Sequence, residues 1–369
     1  MRRLFLYLLI ACLLLPACPA LTEQSAAEAP VDTVEIYEAP KQIVISFLGD
    51  CTLGNTPIER LRGESSFEYF IQENGMEYPF ANVLDILRND DLTVANLEGV
   101  FYNYEANKAN KVYNFRSSTD HAQILPLASI EAVSIGNNHI LDYGANGQQS
   151  TLEALEAQGT NWFGTNEYAD GTYIFEKDGV KIGFVAAYVS YMATAEHSNK
   201  IKDDIAQLKE DGCKVIIACM HGGVEYDRLH DSNQERLADR LIKFGAHIVI
   251  GHHPHTIQGI RVEKGRTTLY SIGNFVFGGN SQVRTMDTFI AQITLSFSKK
   301  NKYLGHQLNI IPAHVSGTSD HNNYQPVLVT GAEADNVIKA IQVDSRPLKI
   351  QPYVEGVGAI QEFVPAPKK

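Results

Sequence analysis

Short, nearly continuous apolar runs alternate along this chain with stretches whose apolar residues recur every three to four positions. The first kind predicts strands buried on both faces, the second amphipathic helices. Strands are predicted at Gln42–Leu48, Leu92–Leu97, Ile130–Ile135, Val215–Ala218 and Ala246–Ile250. Helices are predicted at Pro79–Arg88, with proline in a first-turn position, and at Gly147–Gln158, Lys200–Glu210 and Asn233–Phe244. After Thr267 the pattern turns mostly to strand, and no segment repeats. Buried strands alternating with helices predict a layered α/β fold.

The N-terminus breaks this pattern. Arg2 and Arg3 precede an apolar stretch, Leu4 to Leu15, that has the length of a signal-peptide core and is too short to span a bilayer. It ends Leu15-Pro16-Ala17-Cys18, which resembles a bacterial lipobox and implies cleavage before Cys18 with lipidation of its thiol. Leu9-Ile10-Ala11-Cys12 also fits the pattern, and ordinary secretion with cleavage after Ala20 stays open. The expected organisation is therefore a lipoprotein signal peptide over 1–17 and a flexible Ala-, Glu-, Pro- and Thr-rich tether over 18–40. A single domain over 41–345 and a C-terminal tail over 346–369 complete it. No other segment reaches 18 consecutive apolar residues.

Composition narrows the function. The 369 residues are 44% apolar and 20% charged, which argues against a disordered or fibrous protein. A net charge of −12 argues against a general nucleic-acid binder, which needs a basic surface to displace counterions. An acidic polymer would also be repelled unless a local positive site, such as a metal, receives it. Cys213 and Cys219 bracket one apolar run, roughly 20 Å apart if extended, too far to bond each other. With Cys51 they read as small buried side chains.

The informative feature lies just past the strand ends. Gln42–Leu48 runs into Gly49-Asp50, and Leu92–Ala95 into Asn96-Leu97-Glu98-Gly99. Ala132–Ile135 leads to Gly136-Asn137-Asn138-His139 with Asp142 just beyond, and Val215–Met220 to His221-Gly222-Gly223-Val224-Glu225-Tyr226. Ala246–Ile250 leads to Gly251-His252-His253-Pro254-His255. In α/β folds ligands bind at the carboxyl ends of strands, so five such clusters would converge on one site. Read singly, a Gly-Asp or Asn-Leu-Glu is an ordinary turn. Three histidines in four residues are costly to bury unliganded, and six of the twelve histidines lie between His221 and His255. Carboxylates, an amide and imidazoles suit Mn²⁺, Zn²⁺ or Fe. Two ions sharing a carboxylate, ~3.5–4 Å apart, can clamp a developing oxyanion and activate water.

The ordered series of these motifs, closed by Ser271-Ile272-Gly273-Asn274-Phe275, resembles the CapA family over roughly Lys41 to Ser345. A helical stretch at Gly331 to Val343 after Gln325-Pro326-Val327 resembles the family's end. That family is associated with capsule and poly-γ-glutamate synthesis, and its fold resembles the calcineurin-like metallophosphoesterases. The resemblance implies an α/β fold of the metallophosphatase-like four-layer α/β/β/α sandwich type with mixed sheets. It implies Asp50 as a ligand of a first metal, Glu98 as a bridging carboxylate, and Asn138 and His221 as ligands of a second. His253 and His255 fit the paired His-x-His, with His252 the competing register, and His139 would donate a proton to the leaving group. Asn96, Asn137, Asp142, Glu225 and Asn274 are candidates to orient these ligands, and Arg116 is a candidate contact for an anionic substrate. Two departures stand out. Metallophosphoesterases usually begin Asp-x-His, where this chain has Asp50-Cys51-Thr52, and Glu98 stands where aspartate is usual.

The function implied is a lipid-anchored, extracytoplasmic enzyme with divalent ions, acting on an anionic polymer such as poly-γ-glutamate. Two alternatives remain: a non-catalytic accessory subunit of a membrane polymer synthase or exporter, and an extracellular metallophosphatase.

Overall fold

The computed structural model describes residues 40–368 apart from 167, 280, 281 and 347. The expected leader and nearly all of the tether, Cys18 included, lie outside the described residues. Among the described residues, two mixed sheets stack face to face with helices on both outer sides. The larger, ten-stranded sheet has at its centre Lys41–Cys51, Leu92–Leu97, Ala132–Ser134 and Asn161–Thr165, mutually parallel. Asp287–Phe297 and Tyr303–His314 continue it antiparallel on the other side of Lys41–Cys51. The smaller, six-stranded sheet has parallel Val180–Tyr188, Val215–His221, Ile248–His252 and Arg266–Leu269 at its centre.

The alternation within each strand explains the layering. Ile43, Ile45 and Phe47 point into the space between the sheets, where they meet Phe184, Ile217, Cys219, Ile248 and Ile250 of the other sheet. Ile216, Ala218 and Val249 face outward onto Ile201, Ile205 and Leu208 of helix Ala195–Glu210 and Leu237 and Leu241 of helix Ser232–Phe244. Central strands are thus buried on both faces, the reason their sequences read as unbroken apolar runs. On the far side Leu48, Ala95 and Val133 pack with Phe67, Ile71 and Leu155, from helices Phe67–Asn74 and Gly144–Ala157. The layer order is therefore α/β/β/α.

Helix ends carry their own signals. Asp231 caps the Ser232–Phe244 helix through a reciprocal pair with Gln234, and Gly245 ends it at φ 124°. The helix predicted over Pro79–Arg88 does not form as one piece. Tyr78–Phe80 is a 3₁₀ turn, Val83 sits at φ −118°, and only Leu84–Leu87 is α-helical. Ala81, Val83 and Ile86 each bond the carbonyl three residues back, so the tighter 3₁₀ winding replaces most of the α pattern. The 346–369 stretch, expected as a tail, contributes strands Ala359–Ile360 and Val364–Pro365 to the larger sheet. With Val327–Leu328 they pair with successive thirds of the Tyr303–His314 strand. Cys51, Cys213 and Cys219 are free and buried. No helix among the described residues is long and apolar enough to cross a membrane.

Several strands run two or three residues further than their apolar runs, which carries site residues into the ladders. Lys41–Cys51 includes Asp50, held opposite Asn96, and Val215–His221 ends on His221, opposite His252. Close approach at these ends excludes side chains: a Cβ on Gly49 would lie 2.1 Å from the Gly273 carbonyl oxygen. Gly49→Ala should therefore destabilise the domain by about 1–3 kcal/mol. The check is the urea midpoint of the purified domain, expected to fall with an unchanged slope.

Candidate metal centre

All six proposed ligands come together at the strand ends. Asp50 and Glu98 are fully buried, and His221 and His255 nearly so. Asn96 donates to both carboxylates, 2.9 Å to Asp50 Oδ1 and 3.3 Å to Glu98 Oε2, while Asn137 donates to Asn96 Oδ1 and to the Leu97 carbonyl. These two amides fix the carboxylates from the larger sheet. Imidazoles come from the smaller sheet. His221 Nε2 lies 2.6 Å from Asn138 Oδ1 and 3.1 Å from His253 Nδ1, so two ring nitrogens and an amide oxygen face one point. His255 Nδ1 lies 3.1 Å from Asp50 Oδ2 and 2.9 Å from Asn274 Oδ1.

One atom shows what the centre is built to hold. Glu98 Oε1 is buried and has no hydrogen-bond partner. Around it stand His221 Nε2 at 3.6 Å, His255 Nε2 at 3.8 Å and His139 Nε2 at 3.9 Å. These separations are too long for hydrogen bonds and match ligand pairs that meet through a cation bound at ~2.0–2.2 Å from each. Ligand atoms of Asp50, Glu98 and His255 form one cluster and those of Glu98, His221 and His253 another, so Glu98 is common to both. The donor set fits divalent ions of the Mn²⁺, Zn²⁺ or Fe class.

The electrostatics agree with that role. Burial raises the Glu98 carboxyl well above its ordinary range, and the Asp50 charge raises it further. Burial alone would raise Asp50 too, but hydrogen bonds and charge from His252 and His255 outweigh it and hold Asp50 well below the carboxylate range. Burial and the neighbouring imidazoles push His221 down and His253 down to about 4, so both are neutral at pH 7 with lone pairs free for a metal.

The turn that delivers the paired histidines is not an extended segment. The strand ends at His252; His253 adopts φ 101° and His255 φ 55°. Two left-handed non-glycine residues flanking Pro254 swing both rings to the same side, at a cost of ~1–3 kcal/mol each. His252 stays in the ladder, with Nδ1 3.3 Å from Asp50 Oδ1.

His139 stands beside the centre as a separate unit. Its Nδ1 lies 2.8 Å from Asp142 Oδ2, which leaves Nε2 facing Glu98. Burial lowers the ring's pKa against the opposing pull of Asp142. Glu225 is exposed, and its carboxylate lies within 4.8 Å of ligand atoms of His253 and His255. Arg116 does not reach the site. Its guanidinium donates to the Tyr102 carbonyl, pairs with Glu105 and lies over the Tyr143 ring, because its two-residue strand runs along Val100–Phe101.

The sequence reading missed several neighbours. Lys111 bonds the Asn138 carbonyl at 2.8 Å and pairs with Asp142, pinning the Asn138-His139 turn. Tyr226, Phe277 and Arg284 line a cleft with Phe115, Glu225, His139 and His255. Tyr226 had a signal, as the last residue of the His-Gly-Gly motif; Lys111 and Arg284 lie in polar loops without periodicity.

Removing a ligand should cost more metal affinity than the ~10–100-fold lost with an outer partner. His253→Ala and Glu98→Gln are expected to lower bound Mn²⁺ or Zn²⁺ per chain in titrations, whereas Asp142→Asn retains it. Because burial favours the protonated Glu98 carboxyl, a metal must displace that proton, so affinity should rise as pH climbs above the ordinary glutamate range. Calorimetry in buffers of different ionisation enthalpy should show proton release in the parent that Glu98→Gln lacks.

The sequence profile described as "Bacterial capsule synthesis protein PGA_cap" matches residues 44–279. The chain is similar to the capsule biosynthesis protein CapA of Bacillus anthracis, 28% identical over 309 residues, 78% of this chain and 71% of that one. It is similar to the PGA biosynthesis protein CapA of Bacillus subtilis, 27% identical over 292 residues, 75% of this chain and 73% of that one. Among solved structures, the NAD nucleotidase of Haemophilus influenzae overlaps 83% of this chain and 56% of its own at 13% identity and a TM-score of 0.43, a likeness too loose to bear on function. With nearly two thirds of its length matched by one profile, the chain belongs to the bacterial capsule synthesis protein family PGA_cap.

Proposed function

We propose that this protein is a metal-dependent enzyme of poly-γ-glutamate capsule assembly, tethered outside the cytoplasm through a lipid on Cys18 and acting on the anionic polymer. The observation that carries the reading is the unpartnered, buried Glu98 Oε1 ringed by three imidazole nitrogens at 3.6–3.9 Å. Family membership and relatives named for capsule and PGA biosynthesis supply the polymer.

A divalent ion bound there supplies Lewis acidity toward an oxygen of the scissile group and lowers the pKa of water. The chain's own residues do the rest. Asn96 and Asn137 hold the carboxylates in place, and Phe115 and Phe277, packed against the His139 and His255 rings at 4.6 Å each, exclude water from the reacting side. His139 exchanges a proton at Nε2, its ring fixed through Nδ1 by Asp142. The bond acted on is an amide or a phosphoester, either of which develops charge on oxygen.

One feature favours the accessory-subunit reading as a second. Thr52 occupies the place of the usual imidazole, and its hydroxyl donates to the Gly54 carbonyl and accepts from the Gly278 amide. A centre short of one imidazole can hold an ion without turning over a substrate.

Assays with Mn²⁺ on p-nitrophenyl phosphates and on γ-glutamyl polymers separate the two. His139→Ala is expected to keep its metal and lose ~10²–10⁴-fold in rate. A metal-loaded parent inert on every substrate would favour the accessory role, and a His139→Ala variant as fast as an active parent would overturn the proton-donor assignment. Cys18→Ser should move the protein from the membrane to the soluble fraction, since the anchor contributes ~0.8 kcal/mol per buried CH₂. Retention on membranes after a high-salt wash would overturn the anchor.

A further inference from the structure

The cleft over the metal centre carries a guanidinium at its wall. Arg284 stacks on the Tyr226 ring, its guanidinium carbon 3.5 Å from the ring centroid. Among the described residues no carboxylate pairs with it. Both partners are tied to the turn that presents the metal ligands. The Tyr226 amide donates to the Pro254 carbonyl at 2.7 Å, and the hydroxyl of Thr285, next to Arg284, donates to the His255 carbonyl at 2.6 Å. The Tyr226 and His255 rings lie 5.8 Å apart. Arg284 is therefore held at a set place beside the reacting centre.

We propose that Arg284 is a specificity-determining residue that receives a carboxylate of the substrate chain next to the bond at the metal centre, with Tyr226 as the positioning residue beneath it. The proposal rests on the metal-centre reading above and adds the substrate feature that is recognised. A guanidinium fork matches a carboxylate through two parallel hydrogen bonds, and stacking on an aromatic face keeps that fork planar and presented. Glu225 also lines the cleft, but its carboxylate is grouped with the His253 and His255 nitrogens, where a cation held by them would offset its charge. Phe115 and Phe277 give the cleft apolar wall that suits the methylene stems of a polymer repeat. A chain with one carboxylate per repeat satisfies both halves of the cleft.

The test uses metal-loaded parent, Arg284→Gln and Arg284→Lys, with metal content measured on each sample. Binding is titrated for a γ-glutamyl oligomer, for the same oligomer with its α-carboxylates converted to carboxamides, and for inorganic phosphate. The parent should prefer the carboxylate oligomer by roughly ten- to a hundredfold, the range of a charge-assisted pair. Arg284→Gln should lose that preference and Arg284→Lys keep part of it, while metal content stays at the parent level in both. A preference retained in Arg284→Gln overturns the assignment and leaves the metal-centre reading standing. A metal-loaded parent with no preference also overturns it. If Arg284→Gln loses phosphate instead, the subsite is a phosphate site and the carboxylate assignment falls. A parent that takes up no metal marks failure of the underlying reading itself.

Discussion

Two carboxylates buried side by side are the constraint on which the rest of this structure depends. Asp50 and Glu98 are both fully shielded from water, Asp50 within one strand of the larger sheet and Glu98 just past the end of its neighbour. Isolated, each would face a desolvation penalty of several kcal/mol and would repel the other. The surroundings answer that penalty in layers: donated amide hydrogens from Asn96, imidazoles from the opposite sheet, and room for a cation where no hydrogen bond reaches Glu98 Oε1. Deleting one partner leaves a charge stranded, which makes the cluster a unit.

The geometry that assembles it has its own demands. Donors from two sheets must meet within a few ångströms, which brings backbones together at Gly49 against Gly273 and at Gly136 against Ala186. The His253-Pro254-His255 turn adopts backbone angles that such residues rarely take. Strain of this kind persists only where surrounding contacts over-determine it, and here the His253 amide reaches Asp50 Oδ2 while the His255 carbonyl accepts from Thr285. The conformation is part of how the centre is set.

Much of this was legible in the sequence because the site is written at strand ends. An apolar run with a polar cluster at its end marks both an element and the place where its ligands emerge, so the clusters could be located from order alone, while the resemblance to the CapA family singled out Asp50, Glu98, Asn138, His221 and His255 within them. The illegible part depends on the third dimension. The direction of the Arg116 side chain is set by its pairing beside Val100–Phe101, which no local pattern reports. Arg284 and Lys111 come from loops whose composition gives no periodic signal, and they matter only because tertiary contacts bring them in. The break between Phe80 and Leu84 reflects bonding three residues back in a stretch whose apolar spacing also suits an α-helix.

The three two-residue strands along Tyr303–His314 have a colloidal consequence. That strand would otherwise present a long row of free amides and carbonyls at the margin of a sheet, a template for another chain to zip onto. Val327–Leu328, Ala359–Ile360 and Val364–Pro365 cover it in separate pieces, each too short to offer a continuous ladder of its own, and Pro365 removes a donor outright. The opposite margin also closes on a two-residue strand, Asp170–Gly171. Among the described residues, the larger sheet therefore ends at both margins in strands too short to template the growth of a fibre through that sheet.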